Sequence, residues 1–184
     1  EIKSLPGAYY INDLLNEKES FELDEFCKSL PGKKRGFISG RKGPKVYVYS
    51  PNRRSTPNEI QSNCVEKLRN RFGLFAENDP KQISVNCYQN DECMVPHKDG
   101  TGNVCSIIST GQKVLLDFWF KPAKNDIKGT EVYFKSNFVK TDDKDLNAKR
   151  DEELGALGLF ETPDLSVLME NGSALVLSEE SFFD

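Results

Sequence analysis

Apolar residues recur mostly at helical spacing up to position 73 and mostly at strand spacing after position 82. Ala8–Ile11 reads as a short extended segment. Residues 16–30 carry Phe21, Phe26, Cys27 and Leu30 at roughly helical intervals. That spacing predicts a helix with these side chains on its core face, stopped by Pro31 and Gly32. Residues 46–49 are short and β-prone. A second helix is predicted from Thr56, which can cap, with Pro57 at the first helical position and Glu59 completing a capping box. Ile60, Cys64, Val65, Leu68 and Phe72 form its apolar face, and Gly73 supplies a C-terminal stop.

Beyond that point the β-prone runs are 82–88, 94–97, 105–109, 114–120 and 131–134. Residues 121–163 read as an insertion, with an acidic, lysine-rich stretch at 142–153 that suits a solvated face. Near the end, 165–169 and 173–177 flank Asn171-Gly172, a dipeptide that predicts a β-hairpin. Helices followed by many short strands predict a single α+β domain over 1–184, its core a sandwich or barrel.

Composition narrows the class. A chain of 184 residues, 37% hydrophobic and 10% aromatic, can bury a core and is not of disordered type. Its apolar runs are too short to span a bilayer, so no membrane partner is expected. No secretory signal is visible, and the chain opens on Glu1 rather than Met. Five cysteines without a CxxC pair suit a reducing compartment, nucleus or cytoplasm, and read as small buried hydrophobes. The net charge of -4 is unevenly placed. Residues 31–58 carry eight basic side chains and no acid, which leaves -12 for the remainder. Such a segment, interleaved with Phe37, Tyr47 and Tyr49, can contact a polyanion, with Arg41, Lys42 and Lys45 as candidate contacts. A solvated basic loop is the structural alternative.

The lone histidine, His97, stands two residues before Asp99. On extended chain the two share a side, so an imidazole and a carboxylate can meet at one point. That is two-thirds of the facial triad that holds non-haem iron and leaves positions open for substrate and oxygen. Gly100 would let the chain turn away directly after. An acid near a histidine is common in a chain with 29 acids, and a half-buried His–acid pair is the plain alternative. Upstream, Ile83, Val85 and Cys87 alternate with Ser84, Asn86 and Tyr88, so Asn86 and Tyr88 share a face. An amide and a phenol there could bind a small carboxylate or simply satisfy each other. A structural zinc site from Cys87, Cys93, His97 and Cys105 is a rival reading, although close cysteine pairs are lacking.

Taken together, Asn86-Cys87-Tyr88, His97-Lys98-Asp99-Gly100, Ser106-Ile107-Ile108-Ser109-Thr110-Gly111 and Leu115-Leu116-Asp117-Phe118 resemble the core of the AlkB family of Fe(II)/2-oxoglutarate-dependent dioxygenases. The form Met94 through Gly100, with Val114 through Trp119 after it and Ser39-Gly40-Arg41-Lys42 before it, is most similar to the AlkB homologue 6 branch. Residues 168–177 look like that branch's penultimate core hairpin. The resemblance implies a double-stranded β-helix (jelly-roll) core with N-terminal helices. It implies His97 and Asp99 as Fe(II) ligands, Asn86 and Tyr88 as contacts to 2-oxoglutarate, and a substrate lid within 31–58. The implied activity is oxidative demethylation of a methylated nucleic acid or protein. A catalytically incomplete, nucleic-acid-binding relative is the alternative.

The family's second iron-binding histidine and its arginine for 2-oxoglutarate have no counterpart here. On the family spacing both would fall beyond Asp184, and the last arginine is Arg150. A chain cut short is the expected reason, with weak iron binding by residues 1–184 as its consequence.

Overall fold

The computed structural model describes residues 1–31, 33–34, 45–49, 58–88, 96–97, 104–122, 130–135 and 162–178. In chain order these form β1 (Ala8–Ile11), α1 (Glu17–Ser29), β2 (Lys33–Lys34), β3 (Lys45–Tyr49), α2 (Glu59–Phe72), β4 (Ile83–Cys87), β5 (Pro96–His97), β6 (Val104–Ile108), β7 (Val114–Pro122), β8 (Thr130–Lys135), β9 (Leu165–Met169) and β10 (Ala174–Ser178). The described strands make antiparallel sheets in the orders β1-β10-β6, β2-β3-β4 and β5-β8-β7-β9. The architecture is therefore mixed α/β with two helices.

Both helices begin on reciprocal caps. The Asn16 side chain accepts the Glu19 N–H at 3.0 Å, and the Glu19 carboxylate accepts the Asn16 N–H at 2.9 Å. For α2 the cap is Asn58, with Gln61 reaching back to its N–H at 3.2 Å. The capping-box logic thus holds two residues later than the sequence suggests, and Thr56 and Pro57 lie outside the described residues. Gly73 ends α2 at φ +68°, as its position predicts.

Not all the apolar spacing points inward. Ser20 and Leu23 are the buried positions of α1, whereas Phe21 is 66% exposed. Position 21 lies about 200° around the helix from 23, so both cannot face one core. Phe72 is likewise exposed, with the Arg71 guanidinium 5.2 Å from its ring centre.

Strand β10 divides the core. Ala174 and Val176 pack with Leu14, Leu15, Leu23, Cys64 and Leu68 beneath the helices. Leu175 and Leu177 pack on the other side with Leu5, Ala8, Phe118, Val167 and Met169. A strand buried on both faces needs a continuous apolar run rather than alternation, and Ala174-Leu175-Val176-Leu177 supplies it. Three layers result: helices, the β1-β10-β6 sheet, and the sheet built on β7 and β9.

Segments 104–122 and 162–178 run together as one bent antiparallel ribbon. In one sheet β6 pairs with β10, Ile108 opposite Ala174; in the other, β7 pairs with β9, Val114 opposite Met169. The Asn171-Gly172 turn therefore does not close a hairpin, because β9 and β10 lie in different sheets. It carries the chain from one layer to the next beside the β6–β7 corner. The corners are fastened to each other. Gly172 N–H donates to Ser109 O at 2.8 Å, Ser109 N–H to Ser173 O at 3.0 Å, and Gly111 N–H to Asn171 Oδ1 at 3.0 Å. Between Ser109 opposite Ser173 and the Lys113–Glu170 ion pair, three residues on one side face two on the other. That extra residue lets the ribbon bend sharply.

The N-terminal segment locks onto the same corner. Leu15 N–H donates to Gly172 O at 3.0 Å. Gly172 sits at φ +77°, and a Cβ there would lie 2.5 Å from Leu15 O and 2.7 Å from Ser20 Oγ. At Gly73 the φ is similar, but a Cβ would meet nothing within 4 Å. Gly172→Ala is therefore expected to lower stability by about 2–4 kcal/mol, against about 1 kcal/mol for Gly73→Ala. Urea unfolding midpoints compare the two, and equal losses would contradict the close approach.

Lys67 of α2 holds the start of α1, donating to Glu19 Oε2 at 2.6 Å and to Leu14 O at 3.3 Å. The ammonium, and after it the Asn16 N–H, holds the Glu19 carboxyl below its ordinary value. Because the folded value is the lower one, the stabilisation is present above the ordinary carboxyl range and is lost as pH falls through the depressed value. Lys67→Met is expected to cost less than about 1 kcal/mol near neutral pH. It should also make stability fall less steeply on acidification, and an unchanged slope in urea unfolding against pH would refute the coupling.

Candidate functional site

Strand β5 carries His97, and its register fixes the face on which that position lies. His97 pairs opposite Phe134 of β8, Phe134 opposite Phe118 of β7, and Phe118 opposite Leu165 of β9. Directly opposite positions in an antiparallel sheet lie on the same face. Phe118 is fully buried in the core between the two larger sheets. Position 97 therefore belongs to the inner face of its sheet, in one row with a core residue. Asp99 lies outside the described residues, as do Arg41, Lys42 and Cys93. Segment 121–163, expected as an insertion, contributes β8, which stands between β5 and β7; its acidic stretch at 142–153 lies outside the described residues.

Asn86 sits in the smaller sheet. On β4 the odd positions face the helices: Cys87 Sγ–H donates to Cys27 O of α1 at 3.5 Å. Ser84 and Asn86 occupy the opposite face, and Gln82, just before the strand, donates from Nε2 to Ser84 Oγ at 2.8 Å. Asn86 is half-buried, and Tyr88, one residue past the strand, is 43% exposed. The polar face predicted by alternation is present. It lies in a different sheet from His97.

The register also sorts the basic segment. Lys45 is opposite Cys87 and Lys34, so it falls in the row facing the helices rather than the Asn86 row. Lys33 lies opposite Val46, which lies opposite Asn86. The lysine that shares the candidate ligand face is thus Lys33, which the sequence did not single out. The signal was only a two-residue strand, too short for periodicity to reveal. The register sets Lys34 directly opposite Lys45.

The zinc alternative would gather Cys87 and Cys105. The structure sends Cys87 against α1, while Cys105 packs against the core between the two larger sheets. Among the described residues no group of three His, Cys, Asp or Glu side chains is arranged to hold a metal ion. Cys64 is buried, whereas Cys27, Cys87 and Cys105 are only partly so. Burial pushes the Cys27 thiol up to about 12 and the Cys64 thiol to about 11. Trp119 is 3% exposed between buried Phe118 and partly buried Phe120, which fits strand packing. It lies on the outer face of β7 with Asp117, whose carboxylate accepts the Ser166 hydroxyl at 2.7 Å.

Among the described residues no helix is long and apolar enough to cross a membrane. Scanned against protein-family models, the chain matches none, and a search of curated proteins finds no match.

Cysteine pairs test the register that separates the two faces. Val46→Cys with Asn86→Cys, directly opposite on one face, is expected to cross-link on mild oxidation. Val46→Cys with Val85→Cys, on opposite faces, is not. Non-reducing peptide mapping reads the outcome, and the reverse pattern would move Asn86 to the helix side.

Proposed function

We propose that this chain carries the core of an AlkB-type Fe(II)/2-oxoglutarate-dependent dioxygenase acting in oxidative demethylation of nucleic acid or protein. The observation that supports it most is the row of His97, in line with buried Phe118 on the inner face of its sheet. A metal site on that face of the sheet would be shielded from bulk water. The bent two-segment ribbon also favours a double-stranded β-helix, since wrapping such a ribbon over two sheets is how jelly rolls close.

In this reading His97 and Asp99 would hold Fe(II). Asn86 and Tyr88 would meet the cosubstrate through an amide and a phenolic hydroxyl, both able to donate to a carboxylate. When bound, iron and 2-oxoglutarate supply oxidation of a C–H bond by dioxygen. The chain's own residues orient these partners and exclude water: Phe118 and Leu165 continue the His97 row into the core, and Ser84 and Gln82 extend the polar face of Asn86. Of the expected donor set, the described residues include only the His97 position, so no step is assigned to the metal.

The alternative is a nucleic-acid-binding relative without catalysis, supported by the eight basic residues without an acid at 31–58, two of which, Lys34 and Lys45, stand opposite in register.

Anaerobic titration separates the two. With saturating Fe(II) and 2-oxoglutarate, residues 1–184 are expected to bind iron weakly. They should nonetheless show a charge-transfer absorption that both His97→Ala and Asp99→Ala abolish. Absence of that band, together with salt-sensitive binding of single strands that Arg41→Glu and Lys42→Glu weaken, would replace the oxygenase reading with the binding one.

A further inference from the structure

Cys27 and Cys87 stand 60 residues apart in the chain, and no CxxC spacing announces them as partners. The fold brings them together. Cys87 ends β4 and its Sγ reaches to 3.5 Å from the carbonyl oxygen of Cys27, in the last turns of α1. The helix and the strand approach within 8 Å between Cα atoms. A disulfide needs about 4.4–6.8 Å between Cα atoms, and the Cys87 sulfur already stands at the backbone of Cys27.

The other two described thiols are worse placed. Cys64, on α2, is 6% exposed and shut beneath the helices. Cys105 packs on the far side of the β1-β10-β6 sheet. Cys27 and Cys87 are both only partly buried, and Cys87 adjoins exposed Tyr88.

We infer that Cys27 and Cys87 form a redox-responsive pair, which a small-molecule disulfide such as oxidised glutathione closes into an intramolecular bond that locks the end of α1 onto β4. The chemistry is two thiol–disulfide exchanges. The Cys87 thiol gives up its proton and its sulfur attacks one sulfur of the oxidant. The oxidant's S–S bond breaks, and one small thiol leaves carrying a proton. Cys27 then loses its proton, and its sulfur attacks Cys87 Sγ in the mixed disulfide. The second small thiol leaves in the same way. Two protein thiols are oxidised by two electrons in all, and one disulfide is reduced to two thiols.

The order follows from burial. Desolvation, then the neighbouring Cys87, Asp24 and Cys64, raise the Cys27 thiol to about 12. At neutral pH it is a poor first attacker and acts in the closing step. Closure is therefore slow near neutral pH and accelerates in base. Asn86 and Tyr88 flank Cys87, so closure fixes the backbone that presents the polar face of β4. The effect on a ligand at that face rests on the proposed oxygenase reading, whereas formation of the disulfide does not.

The full 184-residue chain, incubated with oxidised glutathione, quenched in acid and alkylated, is read by intact mass and by non-reducing peptide mapping. Before alkylation the intact mass is expected to fall by two hydrogens; after it the oxidised chain carries two fewer alkyl groups than the reduced chain, with one linked peptide pair joining Cys27 to Cys87. Cys27→Ser should stop at a single glutathione adduct on Cys87. The rate of closure in the unsubstituted chain should rise about tenfold per pH unit between about pH 7 and pH 9. A link from Cys27 to Cys64, a link through Cys93, or a stable adduct on Cys87 with Cys27 still alkylated would each overturn the pairing.

Discussion

Gly172 has no room for a side chain, and the layering of the molecule follows from that contact. A carbonyl from the N-terminal segment and the Ser20 hydroxyl occupy the space where a Cβ would stand. The backbone N–H of Gly172 is used by Ser109, and its carbonyl by Leu15. One residue thus ties the approach to α1, the β6–β7 corner and the β9–β10 corner. Two corners held in register force two chain segments to leave one sheet and enter the other together. If either corner slipped by a residue, every side chain beyond it would change faces.

That corner decides what β10 must be. Lying between β1 and β6, with helices above and a second sheet below, β10 can expose neither face, and Ala174 through Leu177 are all buried. The size of the side chains follows from the neighbours. Ala174 lies near the corner where Leu14 and Leu15 crowd in, while Leu175 and Leu177 fill the wider space toward Phe118 and Met169. The inner face of β7 is set from there, and through β8 it sets the row that contains His97. The candidate ligand position is thus placed by a ribbon fastened far away in sequence, with β8 as intermediary.

Much of this was legible in the residues. The strands at 8–11, 114–120 and 165–169 were legible from their β-prone content, and α1 from its helical spacing and its stop. What was not legible depends on partners that periodicity cannot see. Asn171-Gly172 has hairpin composition, yet a hairpin turn and a corner turn need the same left-handed glycine. Phe21 looks like core until Ser20 is known to pack at the Gly172 corner, which rotates the helix and leaves Phe21 in solvent. Lys45 belongs to a basic cluster by sequence, but only pairing with Cys87 tells which face it takes. The placement of position 97 on an inner face was legible only as a motif. The register supplies the geometric reason, and Asp99 lies outside the described residues.

The residues singled out for ligand chemistry stand on two supports. His97 belongs to the sheet anchored by the ribbon, whose central strand packs into the main core. Asn86 belongs to the small sheet, where Cys87 meets α1. A ligand held by both would have to be closed over by motion of one support against the other, or by a fixed spacing that α1 sets. The helix is capped at its start, tied to α2 through Lys67 and seated beside the Gly172 corner, so its near end is the firm one. Its far end carries Cys27, so the Cys27–Cys87 contact is one joint, among the described residues, between the strand of Asn86 and the helix layer.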